Sequence, residues 1–196
     1  MFTGIIETMG EVVSVNKKKS NLLIAVRSSI AKELKPDQSV AHNGACLTVI
    51  RADKKTHIVE AVNETLKRTN LGILRKGMLI NLERAMKTES RFDGHFVQGH
   101  IDQRGVCTKI EKQNGSTKFW FSYKPGKDFL VAERGSVCVD GVSLTVVDVK
   151  KDKFSVVIIP YTFEHTSFQH LAKGDMVNLE FDILGKYVRK SLTTLI

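Results

Sequence analysis

The chain has 196 residues, 42% of them hydrophobic and 26% charged, with a formal net charge of +9. This is the balance of an ordinary soluble globular protein: no apolar run approaches the roughly 18 residues of a membrane span, and the start M-F-T-G-I-I-E lacks the features of a signal peptide. Cys46, Cys107 and Cys138 are odd in number and form no C-x-x-C pair, which argues against a disulfide frame or zinc site and for a reducing cytoplasm.

Strand patterns dominate. Short runs rich in β-branched residues predict strands at 10–15, 21–26, 46–50, 57–62 and 79–83. Turn-forming stretches at 16–20 and 52–56 separate them, and helical turns are expected at 29–34 and 65–71. The polar, glycine-containing stretch 87–94 marks a domain boundary. Strands are then predicted at 105–110, 117–123, 143–149, 154–159 and 176–181, with turns at 113–116 and 150–153 and helical turns at 128–132 and 162–168. Val188, Leu192 and Ile196, with Leu195 beside them, form a helical stripe at the end. So short a helix is marginal alone, so its apolar face needs a neighbour: another subunit or the chain's own barrels. Short strands at regular spacing indicate a barrel or sandwich in each half.

The excess of lysine falls largely in these turns, at 17–19, 54–55 and 150–153. No stripe of aromatic and basic residues accompanies it, as a single-strand binder would need. The charge therefore reads as solubility and mild steering of anionic ligands, and nucleic-acid binding is not expected.

The chain nearly repeats itself. Residues 39–49 read S-V-A-H-N-G-A-C-L-T-V, and 97 positions later residues 136–146 read S-V-C-V-D-G-V-S-L-T-V. K-G-M-L-I-N-L-E at 76–83 returns as K-G-D-M-V-N-L-E at 173–180, and Thr65 and Thr69 return as Thr162 and Thr166. Gly4 and Gly10 return as Gly99 and Gly105, offset by 95. A period this long is a small duplicated domain rather than a solenoid unit.

The mismatches between copies carry the chemistry. Cys46 falls against Ser143, Asn43 against Asp140, Asp37 against Arg134, and Ile5 against His100, while Thr48 matches Thr145 and Ser39 matches Ser136. A thiol opposite a hydroxyl offers a nucleophile and a hydrogen-bond donor, and a histidine in one copy offers proton transfer near neutral pH. Set against this, a lone cysteine in a strand is commonly a small core hydrophobe, and Cys107 and Cys138 read that way. His95 and His100, five apart on one presumed strand, would face opposite sides, so a metal site is not expected. His42, His57, His165 and His170 default to surface or structural roles. Gly94, Gly99 and Gly105 lack the context of a phosphate loop. The residues alone describe two barrels with two similar, non-equivalent small-molecule pockets.

M-F-T-G-I-I-E, H-N-G-A-C-L-T-V, E-T-L-K-R-T-N-L-G, G-H-F-V-Q-G-H-I and D-G-V-S-L-T-V, in this order, resemble the riboflavin synthase family over essentially the whole chain. The resemblance implies an all-β fold: two homologous six-stranded Greek-key β-barrels in tandem, over residues 1–93 and 94–184, followed by a C-terminal α-helix over 185–196 that holds a trimer. It implies dismutation of two molecules of 6,7-dimethyl-8-ribityllumazine into riboflavin and 5-amino-6-ribitylamino-uracil by transfer of a four-carbon unit, with no cofactor or metal. The active site would lie between subunits of a homotrimer and take two molecules of ribityllumazine; an association with lumazine synthase stays open. The duplication would then supply facing pockets that turn a bimolecular encounter into a local one.

By the same resemblance Gly4, Ile5, Ile6, Cys46, Leu47, Thr48, Glu60, Ala61, Val62, Asn63, Glu64 and Thr65 would line the N-terminal pocket. Gly99, His100, Ile101, Ser143, Leu144, Thr145, Val157, Ile158, Ile159, Pro160, Tyr161 and Thr162 would line the C-terminal one. The chemistry removes a proton from the ring's C7 methyl and adds a nucleophile at C7 of the partner. His100, Ser143 and Thr145 are candidates for the proton-transfer end, and Cys46 and Ser39 for attack or for orienting water. Asp182 would orient or receive protons, or else is a solvated strand end. Arg134 stands where the bacterial pattern has a lysine, which keeps charge stabilisation and substrate contact but not a general-acid role. A non-catalytic lumazine- or flavin-binding antenna protein is the alternative; the presence of His100, Ser143 and Thr145 favours the enzyme.

Overall fold

In the computed structural model, which describes residues 1–127 and 129–194, the first half runs β1 (Thr8–Lys18), β2 (Asn21–Arg27), β3 (Ser39–His42), β4 (Ala45–Ala52), β5 (Thr56–Ala61), α1 (Asn63–Arg68) and β6 (Leu79–Arg84). The second runs β7 (Gln103–Gln113), β8 (Ser116–Ser122), β9 (Ser136–Val139), β10 (Val142–Lys150), β11 (Lys153–Ile158), α2 (Pro160–His165) and β12 (Met176–Phe181), and α3 (Ile183–Thr194) follows. Hydrogen bonds close the first barrel in the order β1-β2-β5-β4-β3-β6 and the second in the equivalent order β7-β8-β11-β10-β9-β12. All neighbouring strands are antiparallel.

Two strands escape the sequence pattern. β3 and β9 are four residues long, too short for an alternation to show. Each is tied to the next strand by a two-residue turn, Asn43-Gly44 and Asp140-Gly141, with φ of 45°, 80°, 46° and 85°. That left-handed pair is what a tight hairpin demands and Asn-Gly or Asp-Gly supplies. The helical turn expected at 128–132 does not form at 129–132, and Asp128 lies outside the described residues. The terminal stripe is carried by Val188 and Leu192 on α3; Leu195 and Ile196 lie outside the described residues. His95 and His100 do not sit on a strand: their segment is extended, with a single bridge from Val97 to Phe2.

Contacts between the barrels come in reciprocal pairs, as a twofold relation between copies requires. Phe2 and Val97 bridge at a buried centre with Ala41 and Cys138. The Gly44 and Gly141 turns meet backbone to backbone, a Cβ on either standing 2.7 Å from the other's amide nitrogen. Around them Asn178 Nδ2 donates to the Asn43 carbonyl and Asn81 Nδ2 to the Asp140 carbonyl, both at 2.8 Å. Asn70 Nδ2 donates to Asp140 Oδ1 at 3.0 Å. Such a paired polar network fixes one orientation of the barrels, because every alternative strands buried groups.

Candidate active site

The two copies exchange their leading segments. Residues 1–6 precede the first barrel yet lie against the second: the Ser143 N–H donates to the Gly4 carbonyl at 2.8 Å, and Ile6 packs on the second core. Residues 97–101 do the converse: the Cys46 N–H donates to the Gly99 carbonyl at 2.9 Å, and Ile101 is buried in the first core. Gly4 and Gly99 have φ of 79° and 78°, and a Cβ on them would stand 2.6 Å from Ser143 Cβ and 2.5 Å from Cys46 Cβ. Glycine alone permits so close an approach. This corrects the grouping that the resemblance implied. Gly4, Ile5 and Ile6 belong with Ser143, and Gly99, His100 and Ile101 with Cys46, because the Phe2–Val97 bridge carries each segment past its own barrel.

The first pocket is a cleft of about 470 Å³ lined by Cys46, Thr65, Arg68, Gly99, His100 and Lys186, among others. On β4, Leu47 and Val49 fill the barrel while Cys46 and Thr48 face outward, the ordinary alternation of a half-buried strand. Cys46 is half-buried and His100 exposed. Lys186, on the first turn of α3, is held by both Asp102 oxygens at 2.6 and 2.7 Å, and Arg68 is held by Glu64 at 2.7 Å. A larger cleft, about 780 Å³, contains Ile5 and Ser39. Its central guanidinium, Arg84, is already bound by Glu7 and Glu33, so the smaller cleft beside the thiol is the better chemical site.

At the equivalent place on the second barrel, Ser143 is half-buried on β10 and its Oγ lies 2.7 Å from His95 Nδ1. His95 is 8% exposed. Burial lowers its pKa, against which the charge of Asp182 acts. The imidazole is therefore neutral near pH 7, and with its proton on Nε2 the Nδ1 accepts from the hydroxyl: a base beside a potential nucleophile or proton carrier. Asp182 also caps α3, its Oδ1 accepting from the Leu184 N–H at 2.9 Å. At the rim Tyr161, 68% exposed, stacks on His165 with centroids 4.1 Å apart. The first copy has the Glu64–Arg68 ion pair at these two positions.

The lumazine binding domain family model matches residues 3–85 and 98–182. Curated riboflavin synthases from Actinobacillus pleuropneumoniae and Bacillus subtilis are each 38% identical over 193 residues, covering 98% of this chain and 90% of theirs. The chain belongs to the riboflavin synthase family. A fungal relative, the riboflavin synthase of Schizosaccharomyces pombe, is 35% identical over 97% of this chain and 93% of its own. The fold is shared with LumP: its complex with 6,7-dimethyl-8-(1'-D-ribityl) lumazine superposes with a TM-score of 0.82 at 21% identity, over 92% of this chain and 98% of LumP.

In this riboflavin synthase family chain the remaining candidates divide by the direction of their side chains. Leu47, Ala61 and Ile158 point into the barrel cores. Leu144 packs partly against the second core. Ile5, Thr48, Val62, Asn63, Glu64, Thr145, Ile159, Pro160 and Tyr161 are exposed, while Thr65, Val157 and Thr162 are half-buried. The Glu60 carboxylate is taken up by Lys18 and Asn21, at 2.9 and 2.8 Å. Arg134 is exposed on the turn before β9, with φ of 64°, and its side chain makes no hydrogen bond among the described residues. His95 went unrecognised as the partner of Ser143, because 48 positions separate them. Its signal lay in the G-H-F-V-Q-G-H stretch, which holds two histidines, one bonded to Ser143 and the other lining the cleft with Cys46. His42 and His57, expected at the surface or in structural roles, are both buried and bonded to each other at 2.8 Å.

Proposed function

We infer that this chain performs the riboflavin synthase reaction with one ribityllumazine against the Cys46–His100 face and a second against the Ser143–His95 face. Family membership makes it an enzyme of riboflavin biosynthesis, which dismutates two 6,7-dimethyl-8-ribityllumazine molecules to riboflavin and 5-amino-6-ribitylamino-uracil. The observation that carries the assignment of roles is the pair of unlike couples at equivalent barrel positions. One is a half-buried thiol with an exposed imidazole, the other a hydroxyl hydrogen-bonded to a buried neutral imidazole. A reaction between identical molecules needs that asymmetry, since one gives up carbons and the other accepts them. Ser143, relayed by His95, takes the proton of the C7 methyl; Cys46 adds at C7 or holds the water that adds, and Ser39, on the neighbouring strand, borders the larger cleft instead. Thr48 and Thr145 offer hydroxyls to the rings or ribityl chains. Arg134, whose side chain makes no hydrogen bond among the described residues, serves as charge stabiliser for a substrate held by a second subunit.

The pockets are open on this chain. Val62 and Ile159, equivalent across the repeat, stand exposed with Ile5 and Tyr161, and α3 exposes Leu184, Tyr187, Val188 and Leu192. Apolar surface of this kind at a reaction site calls for cover, and a second copy supplies it by facing the first pocket of one subunit with the second pocket of another in a homotrimer. No described helix is long and apolar enough to cross a membrane, and the three cysteines are free thiols, which supports a cytoplasmic setting. Purified protein incubated with ribityllumazine alone should form riboflavin, read by its longer-wavelength fluorescence. Tight binding without riboflavin would defeat the enzyme reading and leave an antenna protein. Sedimentation at a trimer mass checks the assembly.

A further inference from the structure

We propose that Glu83 and Glu180 are crossed positioning residues: the carboxylate of each barrel sets the geometry of the other barrel's pocket. Both are buried. Glu83, on β6 of the first barrel, accepts the Thr3 N–H and hydroxyl on Oε1 at 2.7 and 3.0 Å and the Gly4 N–H on Oε2 at 3.0 Å. Glu180, on β12 of the second, accepts the Gln98 N–H on Oε1 at 2.7 Å and the Gly99 N–H on Oε2 at 2.9 Å. Each thus straddles two successive amides with both oxygens, a grip that needs two acceptors and that a glutamine, with one end a donor, cannot reproduce. Burial pushes the pKa of both carboxyls up, and these hydrogen bonds oppose it.

The grip is passed across the interface. The Gly4 whose N–H is held by Glu83 receives the Ser143 N–H on its carbonyl, and the Gly99 held by Glu180 receives the Cys46 N–H. Glu180 therefore places His100 beside Cys46, although it belongs to the barrel that carries Ser143. Glu83 places the Gly4–Ile5 segment beside Ser143, although it belongs to the barrel that carries Cys46. Burial raises the pKa of the Cys138 thiol between the barrels, and the charges of Glu180 and Glu83 add to it. Glu83 borders the larger cleft and Glu180 does not line the cleft beside Cys46, but the oxygens of both are taken up by the Thr3, Gly4, Gln98 and Gly99 donors, so their part is placement. The assignment rests on the reading that Cys46 and Ser143 face substrate.

The test compares Glu180→Gln with Glu83→Gln in the full-length chain, by the rate of Cys46 alkylation with iodoacetamide and by kcat and KM. Cys46 is the half-exposed thiol, Cys107 and Cys138 being buried. Each variant leaves a buried N–H unpaired, so kcat should fall roughly ten-fold with KM changing less. Glu180→Gln should also speed Cys46 alkylation several-fold, by loosening the segment over it, while Glu83→Gln leaves that rate unchanged. An equal effect on Cys46 in both variants, or an unchanged kcat in both, overturns the proposal. Should wild type form no riboflavin, the functional reading falls, and the alkylation contrast still decides the crossing. If either glutamine variant does not fold, Thr3→Val, which removes one bond to Glu83, and Glu180→Asp, which withdraws the carboxylate by one methylene, carry the same contrast.

Discussion

The two barrels share strand order, turns and carboxylate anchors, yet their interiors are built from different material. The second is aromatic: Phe119, Phe121, Phe154, Phe168 and Phe181 are buried together, with Phe119 and Phe168 edge-to-face at 5.1 Å. The first is aliphatic where three of these stand, with Ile24, Val26 and Leu71 opposite Phe119, Phe121 and Phe168, and has the ion-paired Arg84 opposite Phe181. Opposite Phe154 it holds His57, bonded to His42. The His42 Nδ1–H donates to the Val40 carbonyl at 3.0 Å, so His57 Nε2–H must donate to His42, and His57 Nδ1 is left without a partner among the described residues. A core tolerates wholesale exchange of apolar groups if volume is conserved. The shared features are those that hold backbone against backbone: Asn-Gly and Asp-Gly turns, positive-φ glycines and Asn-Leu-Glu strands. What makes the copies alike is therefore the interface between them, and what makes them unlike divides into harmless repacking inside and chemistry outside.

The outer asymmetry should give the largest effect. His95→Gln leaves Ser143 without its base and should lower kcat by about 10²–10⁴-fold, whereas His100→Ala, which removes an exposed group, should cost about ten-fold or more. Full activity in His95→Gln would remove the proton-relay role, and full activity in His100→Ala would confine proton transfer to the second pocket. Within the cores, Phe154→Ala should cost about 3–5 kcal/mol in chemical denaturation, by opening a void among rings that have no other filling.

The histidine pair should make the first barrel the acid-sensitive one. Burial holds the pKa of His42 at about 3 and of His57 at about 4, against an ordinary 6.5. The unfolded chain takes up protons below pH 6.5 that the folded pair refuses, so stability is complete above that pH and is lost as pH falls toward 4. Replacing His57 by the residue of the other copy, His57→Phe, should flatten the stability curve between pH 6.5 and 4. An unchanged slope would mean that other groups drive acid unfolding.

The smallest effect tests the interface. Asp140, where the first copy has Asn43, is raised by burial to about 7 from 3.8, with hydrogen bonds from Asn178 and Asn70 opposing. The folded state then keeps a proton that the unfolded chain has released, so this contribution is present at low pH and lost as pH rises from about 4 toward 7. Asp140→Asn makes the two turns alike and should remove that slope, with modestly higher stability at pH 8 in thermal unfolding. A loss of stability at pH 8 would show that the charged form is needed there.

Much of this was legible because it is local or repeated. Gly4 and Gly99 were marked as equivalent by their offset, Cys46 and Ser143 by their place in matching motifs, and both NLE triplets were in plain view. The anchoring role of Glu83 and Glu180 was not, since a repeated glutamate shows neither what it accepts nor that it is buried. Short β3 and β9 lacked the length for a period. The partner of Ser143 was hidden behind a mistaken strand, because alternation was assumed for a segment that makes one bridge and then crosses to the other barrel.

By itself the sequence determined the duplication, the all-β character of each copy and the reactive groups to look for, since these follow from periodicity, turn chemistry and mismatch between equivalent positions. The tertiary structure alone decided which of those groups meet. Two extended segments exchange between barrels because a twofold pairing at Phe2 and Val97 satisfies their backbone groups while two buried carboxylates hold their amides. Such pairing depends on where chain ends lie in space, and no local pattern in the chain encodes it.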